Sequence, residues 1–231
     1  MWVWGIVLMK DEGTWFKHDA FVFLFQGEGV IEFFNSMSTR NLHSSGTTIF
    51  LTPQGKIIDV VEIIFLEQGY ALVGSIAHKN QFLSFLEKSM LNVTFTVTDI
   101  THLNHVYISL NNPNQPMMDG INHSSFLGNM FIVSSQKPQP QACDVSTWNE
   151  YRIERKLPYY QHEITPEQHP FACGLGHLIQ PNKGCYPGQE IMTRMMTRQS
   201  FGRHLVHGKN PLQHATTIGQ THSLAIQRIR Q

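Results

Sequence analysis

The chain predicts an α+β fold, an antiparallel sheet with helices on one face, and three observations carry that prediction. Short apolar runs of strand type alternate with stretches whose apolar residues recur at helical spacing. The runs at 47–52 and 56–66 are separated only by Pro53-Gln54-Gly55, a turn that makes them an antiparallel hairpin. From that hairpin onward the order is β-β-β-α-β-β, close to a ferredoxin-like unit over about 47–110.

Each element has its own warrant. Trp2 to Met9 is apolar, lacks a basic leader and is too short to span a bilayer, so it reads as a buried or edge strand. Val22 to Phe25 is a strand ended by Gly27. Gly29 to Met37 then places Val30, Phe33, Phe34 and Met37 on one helical face. After the hairpin, Tyr70–Ser75 adds a strand, and His78–Met90 is an amphipathic helix carrying Phe82, Phe85, Leu86 and Met90 on one side. Strands follow at Val93–Val97 and His105–Leu110, then polar, Pro-containing connections at 111–117 and 136–141. Gln189–Arg198 reads as a short helix with Ile191, Met192, Met195 and Met196 as its apolar stripe.

At 231 residues the chain is one large or two small domains. Lys and Arg number 17 against 17 Asp and Glu, so no global field favours DNA or an anionic membrane. Only Arg194, Arg198 and Arg203 form a small basic candidate. Three irregularly spaced cysteines make no disulfide framework, which predicts a reducing, cytoplasmic setting. No run elsewhere is long and apolar enough for a membrane span.

The most informative stretch is Lys183-Gly184-Cys185-Tyr186-Pro187-Gly188-Gln189-Glu190. A thiol two residues after a lysine and just before a helix start is placed for a lowered pKa and more thiolate. Gly184 and Gly188 permit positive φ or close backbone approach. The ordinary reading of a free cysteine, a small buried residue, competes with this one.

That loop resembles the K-G-C-Y-x-G-Q-E signature of the YgfZ-type folate-binding proteins, with all seven specified positions present. These are relatives of the glycine-cleavage T-protein, an aminomethyltransferase, and of a mitochondrial iron–sulfur assembly factor. Arg194 also falls where the family carries a basic residue. Arg152-Ile153-Glu154-Arg155-Lys156-Leu157-Pro158 is similar to the family's R-I-E-x-G-x-P, and Ile164-Thr165-Pro166-Glu167 to its I-x-P-E. Gly29 to Asn41 resembles G-x-D-A-x-x-F-L-x-x-x-T-N-D, and Leu51 to Asp59 resembles the L-x-x-x-G-R-x-x-x-D hairpin. The likeness runs from about Phe21 to about Phe201, loose at the N-terminal end and sharp at the loop.

The resemblance implies a T-protein-like folate-binding region over 1–205 and a short C-terminal β remnant over 206–231, with room for two or three strands. It implies tetrahydrofolate as cofactor, and iron–sulfur enzymes or their assembly machinery as partners, notably enzymes that modify tRNA. Within the loop, Lys183 would depress the thiol pKa, Cys185 would hold sulfur, iron or a one-carbon unit, and Gln189 and Glu190 would orient the turn. Glu154 would accept the paired donors of a pterin, a charge-assisted bidentate contact. Arg152 would steady that carboxylate if the segment is a strand, and Tyr160 would offer an aromatic wall or else be a core residue. Read without the family, Arg152 and Glu154 are an ordinary surface pair worth about 0–1 kcal/mol.

Departures sharpen the expectation. Lys156 stands at the glycine of R-I-E-x-G-x-P, which would reshape the turn beneath a pterin. Arg40 and Asn41 replace the N-D of T-N-D, so no catalytic carboxylate is expected there. The T-protein loop has no cysteine, and Cys185 therefore points toward the YgfZ branch. The 13 histidines include i,i+3 pairs at 102/105 and 204/207, which on strands face opposite ways and cannot share an ion. Cys173, His177 and Cys185 are too widely spaced for an ordinary zinc site, and no metal is expected. The leading function is a folate-binding accessory protein for iron–sulfur cluster assembly or repair. The alternatives are a folate-dependent aminomethyl or demethylating transferase, and a scaffold without ligand.

Overall fold

The structure, a computed structural model, describes residues 14–91, 93–110, 120–199 and 201–228. The strand expected at 2–9 and the connection at 111–117 lie outside the described residues. In chain order the elements are β1 (Trp15–His18), β2 (Ala20–Gln26), α1 (Val30–Met37), β3 (Gly46–Leu51), β4 (Ile57–Leu66), β5 (Gly69–Ser75), α2 (Lys79–Ser89), β6 (Thr96–Asp99) and β7 (Asn104–Ser109). There follow β8 (Gly120–Ser125), β9 (Gly128–Ser134), α3 (Val145–Arg155), α4 (Gln189–Arg198), β10 (Arg203–Lys209), β11 (Ala215–Ile218) and β12 (His222–Arg228). No helix among the described residues is long and apolar enough to cross a membrane.

The strands make a five-stranded sheet in the order β3-β4-β5-β2-β6, a four-stranded sheet β1-β7-β9-β8 and a three-stranded sheet β10-β12-β11. All their described pairings are antiparallel. The α+β class matches the sequence reading, but only α1 and α2 share one face of the first sheet, while α3 and α4 join the core on its other side; the sheet membership over 47–110 also differs. β2 enters the first sheet between β5 and β6, while β7 leaves it to pair with β1 and β9. The burial explains why. β6 is mostly exposed and closes that sheet as a polar edge. β7 buries Val106, Tyr107 and Ile108 in succession, so it needs cover on both faces and a strand on each side. β8 reads Gly-Ile-Asn-His-Ser-Ser, too polar to announce a strand.

One core lies between the helices and the first sheet, where Val30, Phe33, Phe34, Phe82 and Leu86 meet Phe21, Phe23, Phe25, Phe50 and Leu72. The second fills the space between the first two sheets and takes in Trp148 of α3 and Met192 of α4. The stacked rings of Phe16 and Trp148, 4.3 Å apart, fasten α3 to β1.

The stretch 152–154 is the end of α3 and not a strand. Asp144 begins that helix as its N-cap, accepting from the Thr147 amide at 2.8 Å. Lys156 ends it at φ 55, the left-handed position where glycine is usual. The turn is therefore retained despite the side chain, at a strain of order 1 kcal/mol. On a helix, residues two apart face nearly opposite ways. Arg152 accordingly points inward, with 0% exposure, and holds Glu163 at 2.7 Å instead of Glu154. Its guanidinium also donates to Thr217 Oγ1, to Asn149 Oδ1 at 3.0 Å and to the Leu157 carbonyl at 3.4 Å. Glu163 accepts further from Thr216, from Thr217 at 2.7 Å and from the Tyr159 amide at 3.0 Å. This network binds α3, the 157–164 segment and β11 into one unit.

Helix α4 docks on the tip of the β3–β4 hairpin. A Cβ on Gly55 would lie 2.6 Å from Met192 Cε, and one on Gly188 would lie 2.6 Å from the Thr52 carbonyl oxygen and 3.0 Å from Gly55 Cα. The other flank of the tip is held by the Ile57 amide on the Gln168 carbonyl (3.1 Å) and by His169 Nδ1 donating to the Gly55 carbonyl (2.8 Å).

Two stability predictions follow from these contacts. Glu163→Gln leaves Arg152 buried and uncompensated and should cost about 3–5 kcal/mol in urea unfolding. Arg152→Met/Glu163→Leu together should cost less than the sum of the singles; strict additivity would contradict the pairing. Gly188→Ala combines positive φ with a backbone clash and should cost about 1–3 kcal/mol. Gly184→Ala, which meets nothing within 4 Å, should stay within about 0.5 kcal/mol of wild type.

Candidate functional site

The loop 183–190 is assembled from motifs far apart in sequence. Thr39, fully buried, donates to the Leu178 carbonyl at 2.8 Å, and its own carbonyl accepts from the Gln180 amide at 3.0 Å. Gln180 Oε1 in turn accepts from the Asn41 amide at 2.9 Å. The end of α1 thus fixes the strand of chain that leads into the loop. Lys183 is only 6% exposed and donates its ammonium to the Asn35 carbonyl in the last turn of α1. That helix has no basic residue of its own in its last turn, so Lys183 supplies the missing countercharge from across the fold. The same ammonium lies 5.3 Å from the centre of the Tyr186 ring. Burial lowers the Lys183 pKa, and the charge of the nearby Cys185 opposes that shift.

Gln189 closes the loop by donating to the Lys183 carbonyl at 3.1 Å. Glu190 faces solvent and pairs with Arg194 one turn later at 2.7 Å, so it steadies the helix start. Gly188 is required by φ 82 and by its approach to the hairpin. Gly184 is in open space without positive φ, so its small size leaves room beside Cys185 and is not demanded by the turn.

Of the three cysteines, Cys185 alone is exposed. Cys173 is fully buried, donates to the Glu163 carbonyl at 3.1 Å, and burial pushes its pKa up to about 12. Cys143 is half-buried, with burial first and Asp144 second in raising its pKa. Among the described residues no group of three or more His, Cys, Asp or Glu is placed to hold a metal ion.

The other predicted site residues are parted from the loop motif and from one another. Glu154 is exposed, its carboxylate 3.1 Å from Arg155. It lines a cleft of about 380 Å³ with Tyr151, Ile153, His207 and His222. The two imidazoles there stack with ring centres 4.8 Å apart. Tyr160 is not in that cleft. Its ring packs beside His18, His78 and Phe126, and its hydroxyl donates to the Val60 carbonyl at 2.5 Å. It is a core aromatic.

Sequence reasoning also missed the buried polar pairs between the sheets. Asp59, at the end of the hairpin motif, is 0% exposed and accepts from His78 at 3.0 Å and from the Val60 and Ser75 amides. Burial nevertheless raises its pKa. Glu62 meets His123 at 2.8 Å and is bonded by Thr47. The only sequence signal for these was the odd placement of Asp and Glu within a strand otherwise composed of Ile, Val, Phe and Leu.

No family model matches the chain. A chloroplastic protein of Arabidopsis thaliana, provisionally named a transferase, is 36% identical over 58 residues, which is 25% of this chain and 13% of that protein. The crystal structure of the glycine cleavage system aminomethyltransferase T from Bartonella henselae superposes with a TM-score of 0.75, covering 94% of this chain and 78% of its own at 12% identity. The chain has the fold of that aminomethyltransferase.

Proposed function

We propose that this protein is a folate-binding accessory factor that supports assembly or repair of iron–sulfur clusters, notably in tRNA-modifying enzymes, with Cys185 as the working thiol. The observation that carries the reading is the setting of Cys185: the one exposed thiol stands on a loop whose flanking residues are tied to α1 and to the hairpin tip. A loop braced on both sides presents its sulfur at a fixed place, while Gly184 keeps the approach open. The iron–sulfur role rests on the likeness of residues 183–190 to the YgfZ-type signature.

Tetrahydrofolate is assigned to the cleft at Glu154. The residues fit a pterin: an exposed carboxylate to accept two adjacent N–H donors, and stacked imidazoles beside it for a flat ring. When bound, the cofactor would supply a one-carbon acceptor or donor. The protein's own part is to orient the ring through Glu154. Arg152 contributes indirectly, by fixing α3 against β11.

A second reading, folate-dependent aminomethyl or demethylating transfer, is favoured by the provisional name of the Arabidopsis protein and by the fold of the Bartonella enzyme. The absence of a carboxylate at the T-N-D motif, where Arg40 and Asn41 stand, weighs against it.

Anaerobic titration of tetrahydrofolate should show saturable binding that Glu154→Ala weakens by about 1.5–3 kcal/mol. Absence of saturable binding to the wild type would favour the ligand-free scaffold, and conversion of bound folate in the presence of an aminomethyl donor would favour the transferase. Iodoacetamide on the native protein should label Cys185 first and Cys173 only after unfolding, read by peptide mass spectrometry. Cys185→Ser should leave folate binding intact and lower iron–sulfur enzyme activity in cells lacking the wild-type protein; undiminished activity would remove Cys185 from the function.

A further inference from the structure

Arg203 and Arg228 are direct cross-strand partners in the β10–β12 pair. Opposed residues project from the same sheet face with Cβ atoms about 5 Å apart, and like charges so placed destabilise the pairing. Both side chains are exposed, and neither has an ion-pair partner among the described residues. The two arginines are the shared wall of two clefts. One, of about 770 Å³, is completed by Gln213, His214, Ile226 and Gln227. The other, of about 440 Å³, brings in Lys56, Glu167 and His169 from the hairpin side. Across both clefts the lining holds Lys56, whose ammonium donates to the Glu167 main-chain carbonyl at 2.6 Å, and the two arginines against the single carboxylate of Glu167. In a chain with 17 cationic and 17 anionic side chains this is a local excess.

The positive charge is compact. The next same-face pairs inward along the strands are Leu205 with Ile226 and His207 with Leu224, so the charge does not continue along β10 and β12. A polymer backbone needs a track of cations, whereas a short run of phosphates needs a cluster. Arginine forks suit phosphate oxygens, and an anion between two such forks turns their repulsion into a bridge. Ile226 and the amides of Gln213 and Gln227 sit beside the pair, with apolar surface and hydrogen-bonding groups for a heterocycle.

We propose that Arg203, Arg228 and Lys56 form a binding site for a small ligand with two adjacent phosphates, of the size of a nucleoside diphosphate. This site involves neither Cys185 nor Glu154. The test is calorimetric titration of ADP, inorganic pyrophosphate and a short single-stranded oligoribonucleotide into the wild type, Arg203→Gln, Arg228→Gln and, as control, the exposed α2 variant Lys88→Gln. Saturable binding of ADP and pyrophosphate is expected, weakened about tenfold or more in each arginine variant and unchanged in the control. A second readout needs no ligand: Arg203→Gln should raise the thermal midpoint of the free protein and abolish the further rise that pyrophosphate gives the wild type. Absence of saturable ADP and pyrophosphate binding would overturn the proposal. Equal affinity in the arginine variants would do so too, as would saturable binding of the oligoribonucleotide alone.

Discussion

The joint between α3, the 157–164 segment and the third sheet depends on one buried ion pair, Arg152 with Glu163, both with 0% side-chain exposure. Taking two charges out of water is costly, and a lone pair of this kind adds little net stability. Here the desolvation is offset because every arm is used: the guanidinium meets Asn149, Leu157 and Thr217, and the carboxylate meets Tyr159, Thr216 and Thr217. Two apolar side chains could fill the volume but would leave the Tyr159 amide and the Thr217 hydroxyl unpaired. The pair therefore acts as a locator. It fixes where β11 meets α3, and so fixes the Glu154 cleft and the sheet that carries Arg203 and Arg228.

The loop of Cys185 is located by a different device. Its anchors are a helix-end carbonyl, the close packing of Gly188 on the hairpin tip and the hydrogen bonds around Thr39. Residues 29–41, 51–59 and 183–190, which the sequence reading quoted as separate likenesses, turn out to be three sides of one contact.

Much of this was legible in the chain. Helical spacing found α1, α2 and α4, and the Pro/Gly turn found the β3–β4 hairpin, because local periodicity decides those elements. The sheet partners of β2 and β7 were not legible, since pairing between distant strands follows from burial on both faces. α3 was missed as a helix because its hydrophobic face is carried by Trp148 and Ile153 together with a buried arginine, which no apolar pattern reports. Tyr160 shows the same limit: the resemblance offered it as an aromatic wall or a core residue, and only its neighbours place it in the core.

Lys183 serves two neighbours with one charge. Its ammonium completes the C-terminal end of α1 while it stands within electrostatic reach of Cys185. The residue that opens the 183–190 loop is thus also the cap of the first helix, and a displacement of α1 carries the loop of the exposed thiol with it. A partner that grips α1 would thereby set the position of Cys185 without touching the cysteine.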